Sequence, residues 1–128
     1  MNIRNAAYWS ATALTSFLFV SGGISCLAGM PWNIQGFTEL GYPVYFVSLL
    51  GAWKLLGGLA ILVPRFPLLK EWAYAGIAFD LVCASASHLA VGHTAGKIVA
   101  PMIILVIVAV SWALRSDERT VRPLLVMA

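Results

Sequence analysis

The chain has 128 residues, 61% hydrophobic and 10% charged, with a formal net charge of +3 and a mean hydropathy of +0.90. This balance lies far outside that of a soluble domain and reads as an integral membrane protein, with length for three or four spanning helices and none for a separate soluble domain. The basic residues form no run and no interleaving with aromatics, which argues against nucleic acid as a partner.

The first apolar segment covers about residues 6–28. It follows Arg4 and is longer than a signal-peptide core, and Cys26 in Ser25-Cys26-Leu27-Ala28-Gly29 comes too early for a lipobox-like cleavage site. A retained helix is expected, broken by Gly29, Pro31 and Asn33, with an outer loop from Met30 to Tyr42. The second segment covers about 43–63 and is closed by Pro64. The third covers about 67–91, with Pro67 as a first helical residue and Lys70 and Glu71 in an interfacial first turn. The fourth covers about 98–114. Its Val and Ile residues would suit a strand in water, but an apolar run in lipid must satisfy its own backbone, so helix is expected, with Pro101 near its first turn.

The expected fold is therefore all-α, an integral membrane four-helix bundle in which residues 1–128 form a single domain. Arg4, Arg65, Lys70, Arg115, Arg119 and Arg122 fall at the termini or in the second loop, against Lys97 alone in the first and third loops. This asymmetry predicts both termini in the cytoplasm of a multi-pass protein of the plasma (inner) membrane. Trp9, Trp72 and Trp112 then fall near the inner boundary, where amphipathic rings settle.

Lys54 is the twelfth of the 21 residues from Pro43 to Val63, and Asp80 the fourteenth counted from Pro67. At about 1.5 Å of rise per residue both fall near the bilayer centre, and the short turn between their helices sets equal depths side by side. Charges there are costly and mark functional sites. Small residues recur around them: Ala73, Gly76, Cys83, Ala84 and Ser87 with Asp80, and Gly51, Gly57 and Gly58 with Lys54. Such faces suit close helix packing. The first segment adds Thr12, Ser16, Ser21 and Ser25 as hydroxyls to meet a buried charge. The pair admits two readings, a structural ion pair that fixes which helix faces meet and a proton-transfer or ligand site.

His88 lies two turns beyond Asp80, about 12 Å nearer the outer face, and extends this polar seam outward with Glu39 and His93 as a candidate mouth. The plainer reading of His88 is an interfacial histidine bonded to a loop carbonyl. Lys54, Asp80 and His88 are thus the candidate catalytic residues. Glu39, Trp53, Ser87 and His93 are the candidate ligand-binding residues. No metal site is expected, since His88 and His93 at i, i+5 are a poor chelating pair. Cys26 and Cys83 are expected at different depths, too far apart for a disulfide, as two buried thiols. No GxGxxG, P-loop, HExxH, GxSxG or haem-attachment pattern occurs, so no covalent cofactor or metal is implied.

The stretch Gly51-Ala52-Trp53-Lys54-Leu55-Leu56-Gly57-Gly58-Leu59-Ala60, followed by Pro64-Arg65-Phe66-Pro67 and Leu69-Lys70-Glu71-Trp72-Ala73-Tyr74-Ala75-Gly76, resembles the DoxX-like family of small four-helix membrane proteins. Phe79-Asp80 and Ser87-His88-Leu89 continue the resemblance over nearly the whole chain. It implies relatives of several kinds: a membrane subunit of a thiosulfate:quinone oxidoreductase, a partner in a bacterial membrane oxidoreductase complex, and an animal receptor-assembly chaperone. It carries over no catalytic set.

The leading expectation is a redox-linked membrane subunit or enzyme that binds a lipophilic partner such as a quinone in an intramembrane polar pocket. One alternative is a non-catalytic assembly or scaffold protein, in a bilayer with a membrane protein partner. Another is a small-solute or proton pathway formed by a homo-oligomer. Whether the chain is an enzyme stays open at this level.

Overall fold

The structure, a computed structural model, describes residues 2–116. It contains five helices: α1 (Ile3–Leu27), α2 (Pro31–Glu39), α3 (Val44–Ala60), α4 (Pro67–Ala90) and α5 (Ala95–Ala113). Arg119 and Arg122, counted above for orientation, lie outside the described residues. Three helices, α1, α4 and α5, are long and apolar enough to cross a membrane, and α2 with α3 would make a fourth span bent by 113°.

Local chemistry sets the helix ends. Asn2 caps α1 by accepting from the Asn5 N–H at 2.8 Å, and proline opens α2 and α4, where the missing donor is harmless. Gly29, Gly41 and Gly92 take positive φ in the turns after α1, α2 and α4.

Four helices form a ring in which α3 lies against α1, α1 against α5, α5 against α4, and α4 loosely against α3. Neighbours run antiparallel: Ser16 of α1 bonds the Gly58 carbonyl of α3 at 2.9 Å, and Gly23 faces Gly51 farther along. Arg4 and Arg115 meet at one end, where Arg4 donates to the Arg115 carbonyl at 3.5 Å. The small helix α2 crosses the opposite end.

The core of Phe19, Ile61, Tyr74, Ile77, Leu81 and Val108 fills the ring. A chain of hydroxyls threads it, with Thr12 bonded to Ser111 at 2.6 Å and Ser111 to Tyr74 at 2.7 Å, so three helices are joined by polar groups that find no water there.

Several expectations need correction. The outer loop from Met30 to Tyr42 contains α2, because Pro31 starts a helix rather than only breaking one. Pro101 lies inside α5, which begins three residues earlier than the apolar run suggests. The close helix contact is between α1 and α3, where a Cβ on Gly23 would come within 2.7 Å of the Gly51 carbonyl. On the face of Asp80, Gly76 draws no neighbour in: a Cβ there would meet nothing within 4 Å. The α1 hydroxyls do not reach the charges either, since Ser21 and Ser25 bond back to their own helix at Phe17 and Gly22.

Candidate functional site

The loose seam between α3 and α4 is where the intramembrane charges meet. Lys54 Nζ lies 3.8 Å from Asp80 Oδ2, with side chains 24% and 18% exposed. That separation is an ion pair too long to be a hydrogen bond. Among the described residues neither charged group forms a hydrogen bond, although the ammonium has three donors and the carboxylate about four acceptor positions. The other close partner is the Phe19 ring, whose centroid is 5.7 Å from Lys54 Nζ.

Two other cations in this apolar setting are held quite differently. Lys70 is 0% exposed, and its ammonium donates to the Ala60 carbonyl at 2.9 Å and to the Val63 carbonyl, which caps the C-terminal end of α3. Lys70 therefore belongs to the protein interior, whereas its sequence position suggested an interfacial charge. Arg115, 5% exposed, donates to Glu71 Oε1 at 2.5 Å and to the Trp112 carbonyl at 2.8 Å, and its guanidinium lies over the Tyr74 ring. Trp112 Nε1 donates to the second Glu71 oxygen at 3.1 Å. Nothing in the spacing of Glu71 and Arg115 announces this pair; only the antiparallel register of α4 and α5 does.

Two cavities share the Lys54–Asp80 pair. The larger, about 540 Å³, is an apolar cleft between α3 and α4, running from Phe46 and Cys83 toward Ala60 and Leu69. Trp53, Trp72 and Phe79 line it and are largely exposed, so it opens sideways, toward the lipid of a surrounding bilayer. The smaller, about 260 Å³, is a vestibule beneath α2 lined by Asn33, Tyr42, Ser87 and His88. Phe46, Leu50, Lys54, Asp80 and Cys83 line both. The ion pair thus sits where an apolar approach and a more polar one converge.

The sequence-predicted residues separate accordingly. Trp53 lines the cleft, and Ser87 lines the vestibule with its hydroxyl bonded to Tyr42 at 2.7 Å. His88 also lines the vestibule, and its partner is His93, Nδ1 to Nδ1 at 2.7 Å, rather than a loop carbonyl. Glu39 lies apart: it is exposed on α2 and accepts from Gln35 at 3.4 Å, so it does not join the two histidines. Both cysteines are free, but only Cys26 is buried; Cys83 is exposed where the two cavities meet. Among the described residues no group of three His, Cys, Asp or Glu is arranged to hold a metal.

Asn33 and Tyr42 are site residues that the loop reading concealed. Pro31 at a first helical position is the one signal for the short helix, Pro31–Glu39, that brings Asn33 to the cavity shared with the pair.

Among the described residues, apolar helices without strands, an ion pair between them and a laterally open cleft define a small multi-helical membrane protein, so a lipid bilayer is its environment. Residues 10–111 match the DoxX-like family, and the chain belongs to it. Comparison with curated proteins and with solved structures gives no match.

Proposed function

We propose that the α3–α4 cleft binds a lipophilic molecule with a hydrogen-bonding head, of the quinone type, and that the protein serves as a redox-linked membrane subunit or enzyme. The observation that carries this is the state of Lys54 and Asp80: they are adjacent and, among the described residues, without hydrogen bonds, where the apolar cleft meets the vestibule, while Lys70 donates to two carbonyls and Arg115 to Glu71. A buried ion pair that served only to join helices would be expected to saturate its donors and acceptors.

A head carrying an acceptor and a donor supplies what the pair lacks. Lys54 donates to a carbonyl oxygen, Asp80 accepts from a hydroxyl or holds a proton, and the apolar tail lies along Trp53, Trp72 and Phe79. His88 stands above, across the vestibule. Electrons exchanged with such a head pass to or from a membrane partner, since the chain carries no cofactor motif. Placement follows the same reading: a single four-span domain in the plasma (inner) membrane, with the end that holds Arg4, Arg65 and Arg115 in the cytoplasm.

The test is equilibrium binding of a short-chain quinone to the protein in nanodiscs, read by quenching of tryptophan fluorescence. Wild type is expected to bind saturably, and the double variant Lys54→Met with Asp80→Leu to keep its fold and yield but bind at least about tenfold more weakly, roughly the loss of one charge-assisted hydrogen bond. Equal affinity in the double variant sinks the proposal in favour of a purely structural pair.

A further inference from the structure

The end of α4 is built so that two histidines must touch. Its C-cap is Val91, Gly92 takes φ +74°, and the helix closes by hydrogen bonds from Gly92 N–H to the Leu89 carbonyl at 3.2 Å and from His93 N–H to the His88 carbonyl at 3.0 Å. This double closure is the Schellman motif, which brings the side chain two residues past the cap against the one three residues before it, commonly as an apolar contact. Here those positions hold His93 and His88. Their rings lie 5.0 Å apart, with the two Nδ1 atoms at 2.7 Å. Spacing of i, i+5 is poor on a continuous helix, so the contact exists only because the helix ends between them.

Two nitrogens at that distance share a proton, since neither can face the other bare. Each imidazole then has its Nε2 as a free end of the pair, one bearing a proton and the other not. A proton taken up at the bare Nε2 lets the shared proton cross from one Nδ1 to the other. The partner ring releases the proton on its own Nε2. One proton enters and one leaves; the passage inverts both tautomers, and the starting pair re-forms only when each ring has also exchanged its Nε2 proton with water.

We propose that His88 and His93 form a proton relay between the aqueous rim of the α2 vestibule and Asp80. His88 and Asp80 line the same 260 Å³ cavity. They are two helical turns apart, about 12 Å, and a liquid-like share of about 30 Å³ per water leaves room for a short water chain along Asn33 and the Tyr42–Ser87 hydroxyls. The other charged or titratable groups facing this route are Lys97 at the start of α5, Lys54 across the cavity on α3, and Cys83 on α4. From α2 it receives Trp32, Asn33 and Phe37, none of which titrates. The relay's purpose rests on the reading of the Lys54–Asp80 site given above, but its operation is measured without any quinone.

The experiment is a pH jump from neutral to about pH 4, at the level where carboxylates protonate, on ligand-free protein in nanodiscs. Infrared absorption of the Asp80 carboxyl, assigned by its loss in Asp80→Asn, reports the rate of proton uptake. His88→Phe and His93→Phe are each expected to slow uptake at least about tenfold, the lower end of what a positioned proton donor contributes, and added imidazole to restore it. His93→Gln serves as a second variant should the phenylalanine disturb folding, and melting temperatures verify each. Uptake as fast in the variants as in wild type overturns the relay. So does a slowing that imidazole leaves unrepaired, or an Asp80 that takes up no proton across the jump. Absence of quinone binding in wild type would overturn the site reading instead, and would leave this rate unchanged.

Discussion

Lys54, Lys70 and Arg115 are all long basic side chains among apolar helices, yet removing them should have unequal consequences. Lys70 donates to two carbonyls at the end of α3, so Lys70→Met withdraws a donor from each where water is scarce. A loss of about 1–3 kcal/mol is expected, the usual cost of orphaned buried polar groups. Glu71→Gln withdraws the charge that Arg115 faces and is expected to cost a similar amount. Lys54→Met breaks no hydrogen bond, and the Asp80 it leaves behind can neutralise itself by binding a proton, so a smaller loss is expected. Thermal unfolding of the three variants in one detergent gives the order. Were Lys54→Met the most damaging, the pair would be a structural element and the cleft an accident of packing.

At the scale of elements, α1 and α3 meet backbone to backbone through glycine, whereas α3 meets α4 at Gly57 only through the Ile77 side chain at an ordinary 3.6 Å, and this difference leaves room for the cleft. A Cβ on Gly23 would lie 2.7 Å from the Gly51 carbonyl and from the Leu55 nitrogen, both backbone atoms with nowhere to move, whereas one on Gly22 would meet nothing within 4 Å. Gly23→Ala should therefore push the helices apart and cost about 1–3 kcal/mol, while Gly22→Ala should stay within about 0.5 kcal/mol of wild type. Denaturation of the two side by side checks this, and equal effects would remove the close contact as the cause.

The same comparison shows what the sequence made legible. Four apolar runs, and the meeting of Lys54 with Asp80, could be read because depth and a short turn are one-dimensional properties. Glycine-rich faces could be recognised, but not which neighbour each served: Gly51 and Gly58 turn to α1, Gly57 turns to Ile77 of α4, and Gly76 of α4 is left open. The Lys70 cap, the Glu71–Arg115 pair and the histidine contact depend on register and on where a helix ends. α2 was hidden because nine residues containing a glycine give too weak a periodic signal beside proline and asparagine.

For the whole molecule, α3 decides how the chain threads the bilayer. Its 17 residues extend about 26 Å, a little short of the roughly 30 Å hydrocarbon layer. On length alone α2 and α3 would also fit a re-entrant loop. The contacts favour a crossing: α3 lies along α1 from Gly51 beside Gly23 to Gly58 beside Ser16, and Lys70 on α4 seals its far end. A re-entrant loop would leave α1, α4 and α5 as three crossings and set Arg4 and Arg115 on opposite faces, yet their hydrogen bond puts them at one end. Single cysteines at exposed positions, Arg4→Cys, Thr38→Cys and Arg65→Cys, in a background with Cys26→Ala and Cys83→Ala, should therefore divide two against one. A membrane-impermeant maleimide is expected to reach Thr38→Cys from one face and Arg4→Cys and Arg65→Cys from the other, the cytoplasmic one. Labelling of Arg65→Cys from the same face as Thr38→Cys would instead establish the re-entrant loop. The cleft would then no longer open at the depth where a quinone head could meet Lys54 and Asp80, so the proposed site falls with the fourth span.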